Sequence, residues 1–204
     1  MVDFLYSIGY SGFSIEEFLR ILKEKQISLL VDVRSQPYSQ YFPDYNKENL
    51  ERRLRHVGIH YRNYAEGFGA RQKDLRYYTG EGYLDFELFS QSPPFTAAFN
   101  RLIDTMAQGY RFALMCAEKD PINCHRAILI TRTFHNVGYR VIHLLPNGKE
   151  LTQAEIENRL LEQFFPDREQ FSLFNAGLCE EDYIKMAYKR KNAEIGYSII
   201  GGQK

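Results

Sequence analysis

The segment Cys116-Ala-Glu-Lys-Asp-Pro-Ile-Asn-Cys-His-Arg126 gathers two thiols, an imidazole, a guanidinium and carboxylates within one short stretch. Such a set suits nucleophilic, acid–base or anion-holding chemistry. Cys124-His-Arg126 reads as the start of a helix running through Phe134. Exposed amide N–H groups and the dipole at a helix start favour an anion, and there they lower a thiol pKa. Cys124 is therefore the candidate nucleophile. Cys116 closes an apolar strand and suits a buried supporting role. His125 and Arg126 read as anion holders, Arg126 with a planar fork for phosphate or carboxylate. Glu118 is a candidate general base, or the ion-pair partner that orients Arg126. A single residue separates Cys124 from Arg126. The cradling loop of a cysteine phosphatase or sulfurtransferase is thus missing.

Cys116, Cys124 and His125, with Glu118 in reach, also form a sulfur and nitrogen set suited to zinc. Structural zinc sites usually pair cysteines about two to four residues apart. Here seven residues intervene and no second pair exists. Spacing weighs against a metal, and no cofactor is expected.

The elements that must position this segment alternate between strand and helix. Phe4-Leu-Tyr-Ser-Ile8 is a short apolar run ended by Gly9. Ser14-Ile-Glu-Glu17 is a capping-box pattern ahead of the stripe Phe18, Leu19, Ile21, Leu22. Ile27 to Val33 is almost continuously apolar, the habit of a strand covered on both faces. A helix over about 46–57 ends at Gly58, and 59–64 reads as a third strand. Pro93-Pro94 opens a helix to Ala107, followed by a fourth strand over 111–116. A fifth strand spans 139–145. Thr152-Gln-Ala-Glu155 opens a helix to about Phe165, and the tail reads as helical from Glu180 to Lys191.

This alternation indicates an α/β fold: a single-domain, Rossmann-like parallel sheet of about five strands with helices on both faces. Residues 1–150 form the α/β core of the single domain 1–204, and 151–204 form a helical C-terminal extension. In such sheets ligands sit beyond the carboxyl ends of the strands. Those ends carry Tyr10 and Ser11, Asp32 and Arg34, and Cys116 and Glu118. With a strand order of 3-2-1-4-5 the three ends would be neighbours, and Asp32 becomes a second candidate general base. The stretches 35–46 and 65–80 lack clear elements and read as functional loops.

Eight of the 15 tyrosines fall between Tyr38 and Tyr83, interleaved with arginines that include Arg71. Rings among arginines suit stacking on bases while phosphates are neutralised, with a homo-oligomer interface and plain core packing as the alternative readings. Lys and Arg together number 26, as do Asp and Glu. The zero net charge provides no global field toward nucleic acid or a membrane, so an anion site must be local. No apolar run reaches the roughly 18 residues of a membrane helix, and Met1-Val-Asp-Phe-Leu5 lacks the features of a signal peptide. Three cysteines fit free thiols in a reducing compartment. A cytoplasmic protein without a membrane partner is expected.

Ser7-Ile-Gly-Tyr-Ser11, Leu30-Val-Asp-Val-Arg34 with Pro37, Gly67-Phe-Gly-Ala-Arg71, Ala113-Leu-Met-Cys-Ala-Glu118 and Cys124-His-Arg126 together resemble the domain of unknown function 488 family. The resemblance runs from the first strand to His143. It implies a Rossmann-like fold in a prokaryotic cytoplasmic protein, and it carries over Asp32, Arg34, Cys116, Glu118, Cys124, His125 and Arg126 as motif positions. Tyr10 stands where that family often has His, and Phe68-Gly-Ala70 where Leu-Gly-Gly is common. The family supplies no reaction.

The residues therefore point to an enzyme acting on a nucleotide or nucleic-acid component. Cys124, His125, Glu118 and Asp32 are its candidate catalytic groups, and Arg34, Arg126, Cys116, Tyr10, Ser11 and Arg71 its candidate binding groups. The competing expectation is a non-catalytic nucleic-acid or protein binding module in which the cysteines are structural.

Overall fold

A computed structural model describes residues 4–168 and 177–200 of the chain. Five parallel strands form the body of one sheet: β1 (Phe4–Gly9), β2 (Leu29–Asp32), β3 (His60–Asn63), β4 (Phe112–Cys116) and β5 (Arg140–Leu144). A short antiparallel strand, β6 (Glu150–Thr152), pairs with the outer side of β5. The helices are α1 (Ile15–Glu24), α2 (Lys47–His56), α3 (Ala65–Phe68), α4 (Phe86–Ser90), α5 (Pro93–Ala107), α6 (Arg132–Asn136), α7 (Gln153–Phe164) and α8 (Glu180–Ile195). The α/β reading is correct, with a sixth strand that the sequence analysis lacked.

Strand order is β3-β2-β4-β1-β5-β6. This corrects the expected 3-2-1-4-5, because β4 inserts between β2 and β1. The carboxyl ends of β2, β4 and β1 remain adjacent, now with the end of β4 in the middle. Strand alternation sends Leu29, Val31, Leu114 and Cys116 to one face of the sheet and Leu30, Ala113 and Met115 to the other. On the second face α1 and α2 supply Phe18, Leu22, Leu50 and Leu54. On the first, Phe95, Leu102, Phe134, Ile156, Leu160 and Ala187 of α5 to α8 complete a larger cluster. Burying one such side chain contributes roughly 1.5–3 kcal/mol, so both layers hold the strand ends in register.

Local signals set the helix boundaries. The Ser14 side chain accepts from the Glu17 N–H at the start of α1. Ser92 caps α5 ahead of Pro93, and Thr152 with Glu155 forms a reciprocal capping box on α7. Each such cap is worth about 1 kcal/mol. Gly58 and Gly109 turn the chain after α2 and α5 with positive φ. Of the expected helical extension, α7 and α8 are helical, while 169–176 and 201–204 lie outside the described residues.

The helix expected to begin at Cys124 differs in kind. A 3-10 turn at Pro121–Asn123 leads to an extended Cys124, and a π-helical stretch, Arg126–Thr131, precedes α6. The Cys124 carbonyl accepts from both Ala127 N–H and Ile128 N–H, at 3.0 and 3.1 Å. Short π-helical insertions of this kind recur at functional sites. The two loop regions contain further short elements, α3 and 3-10 turns at Pro43–Tyr45 and Leu75–Tyr77. Among the described residues no helix is long and apolar enough to cross a membrane.

Candidate functional site

Backbone hydrogen bonds lace together the loops leaving β1, β2 and β4. Tyr10 N–H donates to the Cys116 carbonyl, Ser11 N–H to the Ala117 carbonyl and Val33 N–H to the Met115 carbonyl, each at 3.0 Å. Gly9 makes this approach feasible, since a Cβ there would lie 1.7 Å from the Glu118 carbonyl oxygen. Beyond the strand ends opens a cleft of about 800 Å³. Arg34, Cys116, Glu118 and His125 line its floor, with Tyr10, Tyr38 and Arg71 beside them. Residues 193–198 and Ile200, which follow from the end of α8, form the opposite wall together with Glu81 and Tyr83.

Asp32 is fully buried and accepts from the Arg34 backbone N–H, from Arg34 Nε and Nη2, and from the Tyr61 hydroxyl at 2.7 Å. Both of its oxygens are thus occupied, and the carboxylate holds Arg34 in place. Arg34 Nη2 also donates to the Tyr45 carbonyl, and the guanidinium carbon lies 5.1 Å from the centroid of the Tyr10 ring. Tyr10 in turn stacks on Tyr45 at 4.5 Å. Burial works against the Arg34 charge, but the hydrogen bonds and charge of Asp32 outweigh it and push its pKa up. Arg34 Nη1 is buried and has no hydrogen-bond partner. A buried N–H group left unmatched costs about 1–3 kcal/mol, and this one belongs to a residue of the cleft floor.

The thiols and the imidazole converge at that floor, Cys116 and His125 in its lining and Cys124 beneath them. His125 Nε2–H donates to the Val33 carbonyl at 3.1 Å, and Nδ1 stands 3.9 Å from Cys116 Sγ and 4.0 Å from Cys124 Sγ. Burial alone would raise the Cys124 thiol; the Cys116 S–H, the Arg126 charge and the His125 ring outweigh it, so the Cys124 pKa is well below that of an ordinary thiol. Cys116 moves upward, because it donates to Cys124 and is buried. Glu118 is also shifted upward, first by burial of its inner side and then by the negative character of Cys124.

Arg126 is completely buried and does not line the cleft. Its Nη1 donates to the Glu118 carbonyl at 2.6 Å and its Nε to Ser7 Oγ at 3.4 Å, leaving Nη2 unmatched. The structure therefore brings together Arg34, Cys116, Glu118, Cys124, His125 and Arg126 in one region, with Tyr10 and Arg71 on the cleft rim. Ser11 is held near them by its backbone but is not a lining residue. Cys124 is 1% exposed and lies behind Cys116 and His125, so a ligand in the cleft meets those two first.

Tyr61, which pins Asp32, and a buried polar chain were absent from the sequence reading. Ser7 donates to His143 Nδ1 at 2.7 Å, His143 Nε2–H to Gln153 Oε1 at 3.0 Å, and Gln153 Nε2 to the Tyr188 hydroxyl, which reaches Glu157. The signal available for it was one histidine within the apolar run of β5.

Sheet, helical layers and crevice together define an α/β protein with a polar site at the carboxyl ends of its central strands. Residues 14–133, more than half of the chain, match the model of the family described as Domain of unknown function DUF488, and the chain belongs to that family. No curated protein and no solved structure matches it.

Proposed function

We propose that the protein is an enzyme whose cleft takes an anionic ligand of the nucleotide class. Arg34 and Arg71 hold the phosphate or carboxylate, and Glu118 serves as the acid–base group. The observation that carries this reading is the unmatched, buried Nη1 of Arg34 on the floor of a cleft of about 800 Å³. Asp32 and Tyr45 fix the other side of that guanidinium, so its position is set before a ligand arrives. An anion there would convert an unmatched donor into a charge-assisted hydrogen bond. Tyr38, Tyr83 and Tyr197 add rings to the lining, as stacking on a base requires. Glu118 supports an enzyme over a passive binder, because an upward shift brings a carboxyl group closer to neutrality, where proton transfer is most effective.

Calorimetric titration with AMP, GMP, CMP and UMP, each beside its nucleoside, tests the reading. Nucleotides are expected to bind at low salt and the nucleosides about tenfold or more weakly, with affinity falling as salt rises. Arg71→Ala, at an exposed position, should weaken nucleotide binding several-fold without unfolding the chain. Glu118→Gln should leave binding intact and stop any conversion of the bound nucleotide seen by proton NMR. Binding without conversion in the wild type selects the binding-module alternative. Absence of nucleotide binding at low salt overturns the anion-holding role.

A further inference from the structure

We propose that Cys116, Cys124 and His125 form a zinc site that opens on the cleft. Cys116 Sγ, Cys124 Sγ and a His125 ring nitrogen all lie within 4.8 Å of one another. His125 Nδ1 is 3.9 Å from one sulfur and 4.0 Å from the other. In a tetrahedral site with metal–sulfur bonds of about 2.3 Å and a metal–nitrogen bond of about 2.1 Å, a sulfur and a nitrogen ligand stand roughly 3.6 Å apart. The nitrogen closes that gap by a few tenths of an ångström, and the two sulfurs, within 4.8 Å of each other, close by up to about 1 Å to reach the roughly 3.8 Å that the same bond lengths require.

Three further features support the assignment. The donor set, two sulfurs and one imidazole, suits zinc rather than a hard, oxygen-preferring cation. His125 Nε2–H is committed to the Val33 carbonyl, which fixes the tautomer that directs Nδ1 at the sulfurs. Metal-bound histidines anchor their distal N–H to a carbonyl or carboxylate in this way. The ligands also come from well-held backbone, the end of β4 and the residues that open the π-helical turn.

The seven intervening residues, an objection in one dimension, are spent on the loop and 3-10 turn that fold Cys124 back onto Cys116. Cys116 and His125 line the cleft and Cys124 lies behind them, so a fourth ligand arrives from the cleft side. Three protein ligands with one open position is the arrangement of catalytic rather than structural zinc. Glu118 lies outside the three-residue group and beside the opening.

The test uses the full chain, reduced and stripped with a chelator, titrated with Co²⁺ and then Zn²⁺. Equimolar Co²⁺ should produce the thiolate-to-cobalt charge-transfer band and intense tetrahedral visible bands, and Zn²⁺ should abolish both. Zinc should also shield Cys116 and Cys124 from alkylation while exposed Cys179 reacts throughout. C116S and C124S should each weaken Co²⁺ binding at least tenfold and dim the charge-transfer band, with C179S unchanged. A wild-type chain that gives no charge-transfer band overturns the proposal, as does a band of full intensity in both C116S and C124S. Because the wild-type titration is decisive alone, a variant that fails to fold does not blunt the test. Nucleotide binding through Arg34 and Arg71 is read separately, so either result can fail without the other.

Discussion

At the scale of single residues, Asp32 and Arg34 show how the region is anchored. Their pair is buried, and Tyr61 adds a third member. Removing one charge of such a pair leaves the other stranded, at a cost of roughly 3–5 kcal/mol. Asp32→Asn should therefore lower the urea midpoint by a stability loss of that size, whereas Tyr61→Phe should lose only about 1 kcal/mol. Equal losses in the two variants would show that the charge pair contributes nothing beyond one hydrogen bond. The residue types at the strand ends were legible in the sequence, because polar groups following long apolar runs are conspicuous. Their orientations were not. Nothing in Asp32-Val-Arg34 indicates that the carboxylate turns onto its own arginine, and nothing in Cys124-His-Arg126 indicates that Arg126 points inward while His125 reaches the cleft.

At the scale of elements, helix boundaries followed from caps, glycines and prolines, which act within a few residues of themselves. Strand order did not follow. β1, β2 and β4 are apolar on both faces, so their sequences satisfy several arrangements equally. What selects the position of β4 is contact between distant residues, such as Gly9 meeting the Glu118 carbonyl. Gly9→Ala drives a methyl group into that backbone oxygen and towards Arg126 Nη2, 2.9 Å from the added carbon. Overpacking of this kind costs about 1–3 kcal/mol. Because the clash falls on the β4 exit loop, Gly9→Ala should also weaken nucleotide binding beyond what the stability loss explains, as measured by calorimetry well below the melting temperature. Unchanged affinity in the folded variant would separate the packing role of Gly9 from the site. The π-helical start of the 126–136 helix was likewise illegible, since Ala-Ile-Leu-Ile suits an ordinary helix.

At the scale of the whole molecule, the chain Ser7, His143, Gln153 and Tyr188 runs from β1 through β5 and α7 to α8. Burial, reinforced by the Arg126 charge, pushes the His143 pKa down from 6.5 to about 3. The unfolded chain thus takes up a proton near pH 6.5 that the folded chain refuses until about pH 3. Stability should be full above that window and fall as pH drops through it, by up to about 1.4 kcal/mol per pH unit. Urea titrations at pH 7, 6 and 5 should show this slope, and His143→Asn should flatten it; parallel slopes would rule the imidazole out. A different consequence lies in the far wall of the cleft. Residues 193–200 are tied back by Tyr197 accepting from Leu84 N–H and by Ile199 N–H donating to the Gly82 carbonyl, and they fall outside the span 14–133 that marks the family. The floor residues Arg34, Cys116, Glu118 and His125 and most of the wall facing them are thus carried by separate stretches of chain. On the proposed reading, a change in the tail would retune which molecule is admitted while the residues of the floor stay as they are.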